Sequence, residues 1–329
     1  MKDLVLDITG IFGPSGDEEL IRNFISELIA DYADEIKTDA LGNLIVHKKG
    51  PGKKIMLAAH MDQIGLMATA VEESGYVRFA PIGGVSPSTL VNQKVVFKNG
   101  VIGIVSMEGK DCTANGPISK FFIDIGTGSR EETEELISLG DNCIFYAPAV
   151  ELANDMIASP YLDNRVSCAV LIEVLRRLKT LQYDAYFVFT TQEEVGLRGA
   201  KTAAFGILPD IGIAVDVTPT GDTINPTHMM SVKLGAGPAV KIKDASVICS
   251  PMVRHLLEQT AEKHQIPCQP EILEYGGTDT ASIQLTGAGI PAGCISIPTR
   301  YIHSMSETCS LSDVENAVRL LTALLEEGA

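Results

Sequence analysis

Four short apolar runs constrain the fold of this 329-residue chain more than any other feature. They lie at residues 54–59, 185–191, 211–217 and 292–297, and each is almost continuously apolar. Such runs are typical of strands that are buried on both faces of a parallel sheet. Residues 166–178 and 199–205 have the apolar spacing of helices. This alternation predicts an α/β fold in which a layered sheet is flanked by helices.

Two capping-box patterns predict where further helices begin. Ser15 and Glu18 precede an apolar-periodic run at residues 20–29, and Ser312 and Glu315 precede a last helix that runs to about residue 327. Residues 251–264 also have a helical pattern. We therefore expect Ser15 and Glu18 to have a structural role and not a catalytic one.

A β-rich insertion interrupts this pattern. Short strand-like runs at residues 76–80, 94–98, 101–106 and 142–146 are separated by glycine-containing turn signals. The chain is also longer than a single hydrophobic core usually supports. We therefore expect residues 1–67 and 158–329 to form one domain, with a β-rich domain inserted at residues 68–157.

Composition narrows the classes of partner. The chain has 26 Lys and Arg against 42 Asp and Glu, a net charge of −16, so nucleic acid and anionic membranes would be repelled. We see no apolar run long enough to span a membrane and no signal-peptide pattern, and we expect a cytoplasmic protein. The seven cysteines are scattered and form no CxxC pair, which favours free thiols over disulfides or a thiolate zinc site.

Side chains that bind metals follow several of the predicted strands. In an α/β sheet the carboxyl ends of the strands meet at one edge, so residues that are far apart in sequence converge there. Adjacent carboxylates at such a place repel each other unless a cation neutralises them, as in the pair Glu193–Glu194. The complete set of candidate residues is His60, Asp62, Asp163, Glu193, Glu194, Asp216 and His303.

Taken alone, each candidate also has an ordinary structural interpretation. His60 could be a hydrogen-bonded core histidine, Asp163 a helix N-cap, Asp216 a turn residue and Glu193 part of a surface loop. Together, imidazole and carboxylate ligands without thiolate suit zinc, cobalt or manganese. Their number is sufficient for two ions that share one carboxylate.

Six segments resemble, in the same order, those of the tetrahedral aminopeptidases. This family of dinuclear metallopeptidases includes glutamyl aminopeptidases, and some members have been labelled endoglucanases. The resemblance implies a zinc-exopeptidase-like mixed sheet and an inserted β-rich domain that serves as a dimerisation and lid domain. The matching segments are residues 58–65, 162–165, 191–196 with 199–200, 215–218, 277–281 and 300–304.

The resemblance also implies a role for each metal-binding candidate. His60 and Asp216 correspond to the terminal ligands of one divalent ion, and Glu194 and His303 to those of the other. Asp163 corresponds to the carboxylate that bridges both ions. The two ions would be zinc or cobalt, or else manganese.

Glu193 corresponds to the general base of the family, and Asp62 to the aspartate that orients His60. The family usually has a glutamate where this chain has Gln63, and a histidine where it has Pro219. The region of residues 277–281 also matches a family loop, for which a helix N-cap is the alternative interpretation.

The implied activity is removal of the N-terminal residue of short peptides by a water bridged between two ions. The family commonly assembles dimers into a dodecamer, so self-association is expected. One alternative is a glycoside hydrolase that acts on β-glucan through paired carboxylates. Only 5% of the residues are aromatic and none is Trp, which gives little surface for stacking sugar rings. A second alternative is a metal-binding scaffold without activity.

Overall fold

The computed structural model describes residues 1–109, 116–226 and 229–328. The α-helices of these regions are α1 (Lys2–Thr9), α2 (Glu19–Ile29), α3 (Arg130–Glu134), α4 (Leu162–Arg177), α5 (Arg198–Ile207), α6 (Pro251–Lys263), α7 (Asp279–Gln284) and α8 (Leu311–Glu327). Three short 3₁₀ helices are also present, at Ala30–Tyr32, Pro87–Thr89 and Ile118–Lys120. The strands are β1 (Glu35–Thr38), β2 (Leu44–Lys48), β3 (Lys54–His60), β4 (Gly65–Val71), β5 (Val77–Ile82), β6 (Lys94–Phe97), β7 (Ile102–Met107), β8 (Phe121–Asp124), β9 (Asn142–Phe145), β10 (Val150–Leu152), β11 (Met156–Ser159), β12 (Asp184–Thr190), β13 (Ile211–Thr218), β14 (Ala239–Lys243), β15 (Gln269–Ile272), β16 (Ala292–Arg300) and β17 (Glu307–Ser310).

A large mixed sheet forms the centre of the molecule. Its main path runs β1-β2-β12-β3-β13-β16-β17-β11-β10. Off this path, β14 pairs with both β15 and β16. The four strands β12, β3, β13 and β16 are mutually parallel, whereas the outer neighbours on the main path pair antiparallel. The predicted α/β layered sheet is thus confirmed, and its parallel part consists of the four apolar runs.

Helices cover both faces of the sheet, because alternate residues of each central strand point to opposite sides. On one face Ile55 and Leu57 of β3 pack in a core with residues of α1, α2, α4, α6 and α8. On the other face Met56 and Ala58 pack with residues of α5 and α7. Burial on both faces explains why the runs are apolar throughout.

The β-rich segment forms a closed barrel of strands in the order β4-β5-β8-β7-β6-β9. The barrel has its own core, which includes Val77, Phe97, Val105, Ile123 and Phe145. This confirms a separate β domain. The two strands that follow it in the chain, β10 and β11, belong to the large sheet.

The first capping-box prediction is wrong, although the helix that was expected to follow it is present. Helix α2 begins at Glu19, and Glu18 at its N-cap makes no side-chain capping bond. The Ser15 hydroxyl donates instead to Asp62 Oδ2 over 2.6 Å. Glu18 Oε1 accepts from the backbone N–H groups of Gly16 and Gln192. Tertiary partners have therefore replaced the local ones.

The second capping box is wrong in the same way. Helix α8 begins at Leu311, one residue before Ser312, and ends at Glu327 as expected. The hydroxyl groups of Ser310 and Ser312 lie 2.8 Å apart and hydrogen-bond to each other. Glu315 pairs with Arg177 of helix α4, so its carboxylate does not turn back to the helix start.

Two expectations from composition can be compared with the described residues. None of the helices in those regions is long and apolar enough to cross a membrane. Six of the seven cysteines are free thiols, all buried except the half-buried Cys268. Cys112 lies outside the described residues.

Candidate metal centre

The predicted site residues lie at the carboxyl end of the parallel strands. His60 is the last residue of β3 and pairs with Thr190, the last residue of β12, so the loop with Glu193 and Glu194 starts beside His60. Asp216 lies near the end of β13, and His303 follows β16. Asp163 enters from the first turn of α4, where its backbone is not helical and where Tyr161 occupies the N-cap position.

Asp163 lies between the two histidines. Its Oδ1 is 3.1 Å from Nε2 of His60, and its Oδ2 is 3.3 Å from Nε2 of His303. Asp216 Oδ1 lies 3.7 Å from His60 Nε2, and Glu194 Oε2 lies 3.3 Å from His303 Nε2. Two groups of three possible ligands result, His60–Asp163–Asp216 and Asp163–Glu194–His303, which share Asp163.

The other ring nitrogen of each histidine faces a backbone carbonyl. His60 Nδ1 lies 3.2 Å from the carbonyl oxygen of Asp62 and 3.4 Å from Oδ1 of the same residue. His303 Nδ1 lies 3.0 Å from the carbonyl oxygen of Gly84. Because a carbonyl can only accept, Nδ1 carries the proton when it makes this bond, and Nε2 is left free for a ligand.

The carboxylate of Asp62 also holds the glutamate loop. It accepts the backbone N–H of Glu193 at 3.0 Å, the backbone N–H of Glu194 at 3.2 Å and the hydroxyl of Ser15 at 2.6 Å. Burial alone would raise the pKa of Asp62, but His60 and these hydrogen bonds lower it below its usual value. Asp62 is therefore a buried anion that fixes the backbone of both glutamates.

The charges of the site suit a bound cation. Burial raises the pKa of Glu193 well above its usual range, and burial also raises the pKa values of Glu194 and Asp216. Burial alone would lower the pKa of His60, but Glu193 and Asp163 raise it well above its usual value. Glu194 Oε1 is buried without a hydrogen-bond partner among the described residues. Crowded oxygen and imidazole donors with an excess of negative charge fit divalent ions.

Glu307, the first residue of β17, was missed in the sequence. Its Oε1 accepts the backbone N–H of His303 at 2.7 Å, and its Oε2 accepts the backbone N–H of Asp163 at 2.8 Å. His303 has a φ of 61°, an unusual value for a residue other than glycine that needs support from its surroundings. The only available signal was a carboxylate four residues after His303 in an otherwise uncharged strand.

The site opens into a cleft of about 370 Å³, within the range of ligand pockets. A second cavity of about 820 Å³ adjoins it and shares Pro219, Leu273, Ile302 and His303. Lys241 lies at the wall of the first cavity, where it is buried and paired with Glu271. With these volumes, the cleft and the adjoining cavity together are large enough for a small peptide.

Comparison with known proteins identifies the family. The family model described as M42 glutamyl aminopeptidase matches residues 42–320. The chain belongs to this family. A relative from Acetivibrio thermocellus that bears an aminopeptidase name is 56% identical over 98% of this chain and 97% of its own length. The lysyl aminopeptidase of Pyrococcus furiosus is 39% identical over 96% of this chain and 94% of its own length.

Solved structures agree with this assignment. The Pyrococcus horikoshii TET1 peptidase, which can assemble into a tetrahedron or a large octahedral shell, has a TM-score of 0.90 and 33% identity, with 99% of each chain covered. A Thermotoga maritima structure titled endoglucanase has a TM-score of 0.84 and 33% identity, covering 98% of this chain and 97% of its own. The resemblance found in the sequence is confirmed, and the M42 protein is an aminopeptidase, a peptide hydrolase.

Proposed function

We propose that this M42 protein is a dinuclear metalloaminopeptidase that removes the N-terminal residue of short peptides. The observation that carries the proposal is the position of Asp163, whose two carboxylate oxygens face the Nε2 atoms of His60 and His303 at 3.1 and 3.3 Å. A carboxylate in this position is suited to bridge two divalent ions. In the proposal, Asp216 completes one ligand set with His60, and Glu194 completes the other with His303.

Bound zinc, cobalt or manganese ions would polarise the scissile carbonyl and lower the pKa of a bridging water. The protein's own contribution is proton transfer. In this proposal Glu193 is the general base, which would accept a proton from the attacking water and pass it to the leaving amine. Its Oε2 lies 3.9 Å from His60 Nε2, and burial raises its pKa above the usual value for a glutamate. Asp62 would hold the backbone of Glu193 during this transfer.

The decisive experiment measures cleavage of an aminoacyl anilide by the purified protein. Chelation should abolish cleavage, addition of Zn²⁺, Co²⁺ or Mn²⁺ should restore it, and acetylation of the substrate's α-amino group should prevent it. The acetylated substrate tests for an exopeptidase because the free amine is then missing. If the protein ignores every free-amine peptide when it is loaded with metal, and hydrolyses β-glucan after chelation has removed the metal, a glycosidase replaces this proposal.

We also propose that the barrel mediates self-association, as a dimer and within a dodecamer. Several large apolar side chains on the barrel segment are exposed, among them Ile102, Ile104, Leu139 and Tyr146. Ile102 and Ile104 are two residues apart on β7 and therefore point to the same side of the barrel, and adjacent exposed apolar side chains favour an interface. Light scattering of the full-length protein tests this proposal, and a monomer at micromolar concentration would contradict it. Substitution of Ile102 and Ile104 by Ser should shift the assembly towards smaller species.

A further inference from the structure

The inserted barrel reaches the metal centre through a glycine pair. Gly83 and Gly84 follow directly after strand β5 of the barrel, whereas His303 follows β16 of the large sheet, 219 residues further along the chain from Gly84. The carbonyl oxygen of Gly84 lies 3.0 Å from His303 Nδ1. A hydrogen bond therefore joins the backbone of one domain to a candidate metal ligand of the other.

The close approach requires glycine at this position. A Cβ atom on Gly84 would lie 2.6 Å from Nδ1 and 2.7 Å from Cε1 of His303, closer than real Cβ atoms come to other heavy atoms. At Gly83, which has a φ of +75°, a Cβ would lie 3.1 Å from Cβ and from Oε2 of Glu194. The barrel backbone thus packs directly against His303 and Glu194, the two ligands that are not shared with the His60 group.

The two histidines are oriented by different domains. His60 Nδ1 faces the carbonyl oxygen of Asp62, which is only two residues further along the same domain. His303 Nδ1 faces Gly84 of the barrel. A carbonyl acceptor at Nδ1 places the proton there and directs the Nε2 lone pair towards Asp163 and Glu194. Loss of this bond would disturb one ligand set and leave the other in place.

We propose that Gly84 is a positioning residue of the metal centre, through which the inserted barrel fixes the ring orientation and tautomer of His303. This inference rests on the proposed function, because it assigns His303 to one of two metal ions. It gives the barrel a part in assembling the active site in addition to self-association. An alanine at this position should weaken one ion selectively, by about tenfold or more.

The test is a calorimetric titration of metal-free protein with Zn²⁺ alone. The wild type should bind two ions, whereas Gly84→Ala should retain the affinity of one and lose at least about tenfold at the other. Gly128→Ala is the matched control, since Gly128 is an exposed glycine of the same domain where a Cβ would meet only Glu132 Oε2, at 3.7 Å. Wild-type affinities at both ions in Gly84→Ala would overturn the inference.

A double-mutant cycle separates positioning from general damage to the barrel. In a His303→Ala background the imidazole that a Cβ at position 84 would contact is absent. Gly84→Ala should then no longer lower the unfolding temperature of the metal-free protein, and it should leave the affinity of the ion held by His60 unchanged in both backgrounds. If Gly84→Ala lowers the unfolding temperature and this affinity by the same amounts with and without His303, it acts through the fold, and the inference is wrong. A wild-type protein that binds no Zn²⁺ would instead refute the proposed function.

Discussion

Replacement of Glu18 by glutamine should remove a pH-dependent loss of stability. The Glu18 side chain is buried, and burial raises the pKa of its carboxyl from 4.5 to about 7, although hydrogen bonds from the N–H groups of Gly16 and Gln192 oppose the rise. Glutamine has nearly the same shape, and its Oε1 can accept the same two bonds. The substitution therefore removes the titration and keeps the contacts.

The direction of this change in stability with pH follows from proton binding. Because the folded protein holds the Glu18 proton more tightly than the unfolded chain, the raised pKa favours folding below the unfolded value of 4.5, and this stabilisation disappears as the pH rises through about 7. Linkage with these two values gives a loss of about 2.5 kcal/mol between pH 5 and pH 8. The free energy of unfolding of Glu18→Gln relative to wild type should rise by about this amount over the same interval.

Urea unfolding of metal-free wild type and variant at pH 5, 6, 7 and 8 measures the difference. Metal must be absent because its binding also depends on pH. Glu19→Gln is the matched control, since Glu19 is the adjacent glutamate and is exposed. Its stability should change with pH in parallel with the wild type. If the free energy of unfolding of Glu18→Gln also changes with pH in parallel with that of the wild type, Glu18 does not titrate in this range in the folded protein, and the reasoning is refuted.

Three further substitutions have distinct expected outcomes. Glu193→Gln should keep both metals but lower kcat about 100-fold or more, because an amide accepts no proton; near-normal activity would exclude it as the base. Asp163→Asn should weaken both ions together, and metal analysis that finds both positions filled would contradict bridging. Arg165→Met should destabilise the fold by about 3 kcal/mol in urea, because buried carbonyls lose their donors, including those of Ile8 at 3.1 Å and Gly13 at 3.4 Å. Unchanged stability would refute this.

The central sheet and most of the site could be predicted because both depend on chain-wide regularities. Strands buried on two faces must be apolar along their whole length, and parallel strands place their carboxyl ends at one edge. His60, Asp216 and the Glu193–Glu194 pair each follow an apolar run in the sequence, so the same rule that predicts the sheet also brings these residues together. For Asp163 the sequence left an N-cap open as an alternative, and only the folded chain brings it between the histidines.

The hydrogen bonds that hold the site residues in place could not be predicted, because they join residues that are far apart in the sequence and no local pattern indicates them. Ser15 and Glu18 have the spacing of a capping box, and nothing nearby in the sequence indicates a different role. In the fold, Ser15 meets Asp62 47 residues away, and Glu18 meets the backbone of Gln192 174 residues away. A buried carboxylate and a partly buried loop N–H group would each lack a partner without these side chains, whereas a helix start can still be hydrated, so the distant partners compete better for Ser15 and Glu18.

The effect of having Gln63, where the family resemblance leads one to expect glutamate, depends on a partner that is distant in the sequence. Its Oε1 accepts from Arg165 Nη2 at 2.6 Å, 102 residues away in sequence, and Arg165 is fully buried. An amide oxygen accepts this bond as a carboxylate would, but it carries no charge to neutralise the guanidinium. The positive charge of Arg165 therefore remains to act on Asp62, where it favours the ionised form. Gln63 thus supplies the hydrogen bond without neutralising the guanidinium, and the charge of Arg165 adds to the interactions with His60 and Ser15 that keep Asp62 an anion behind the glutamate loop.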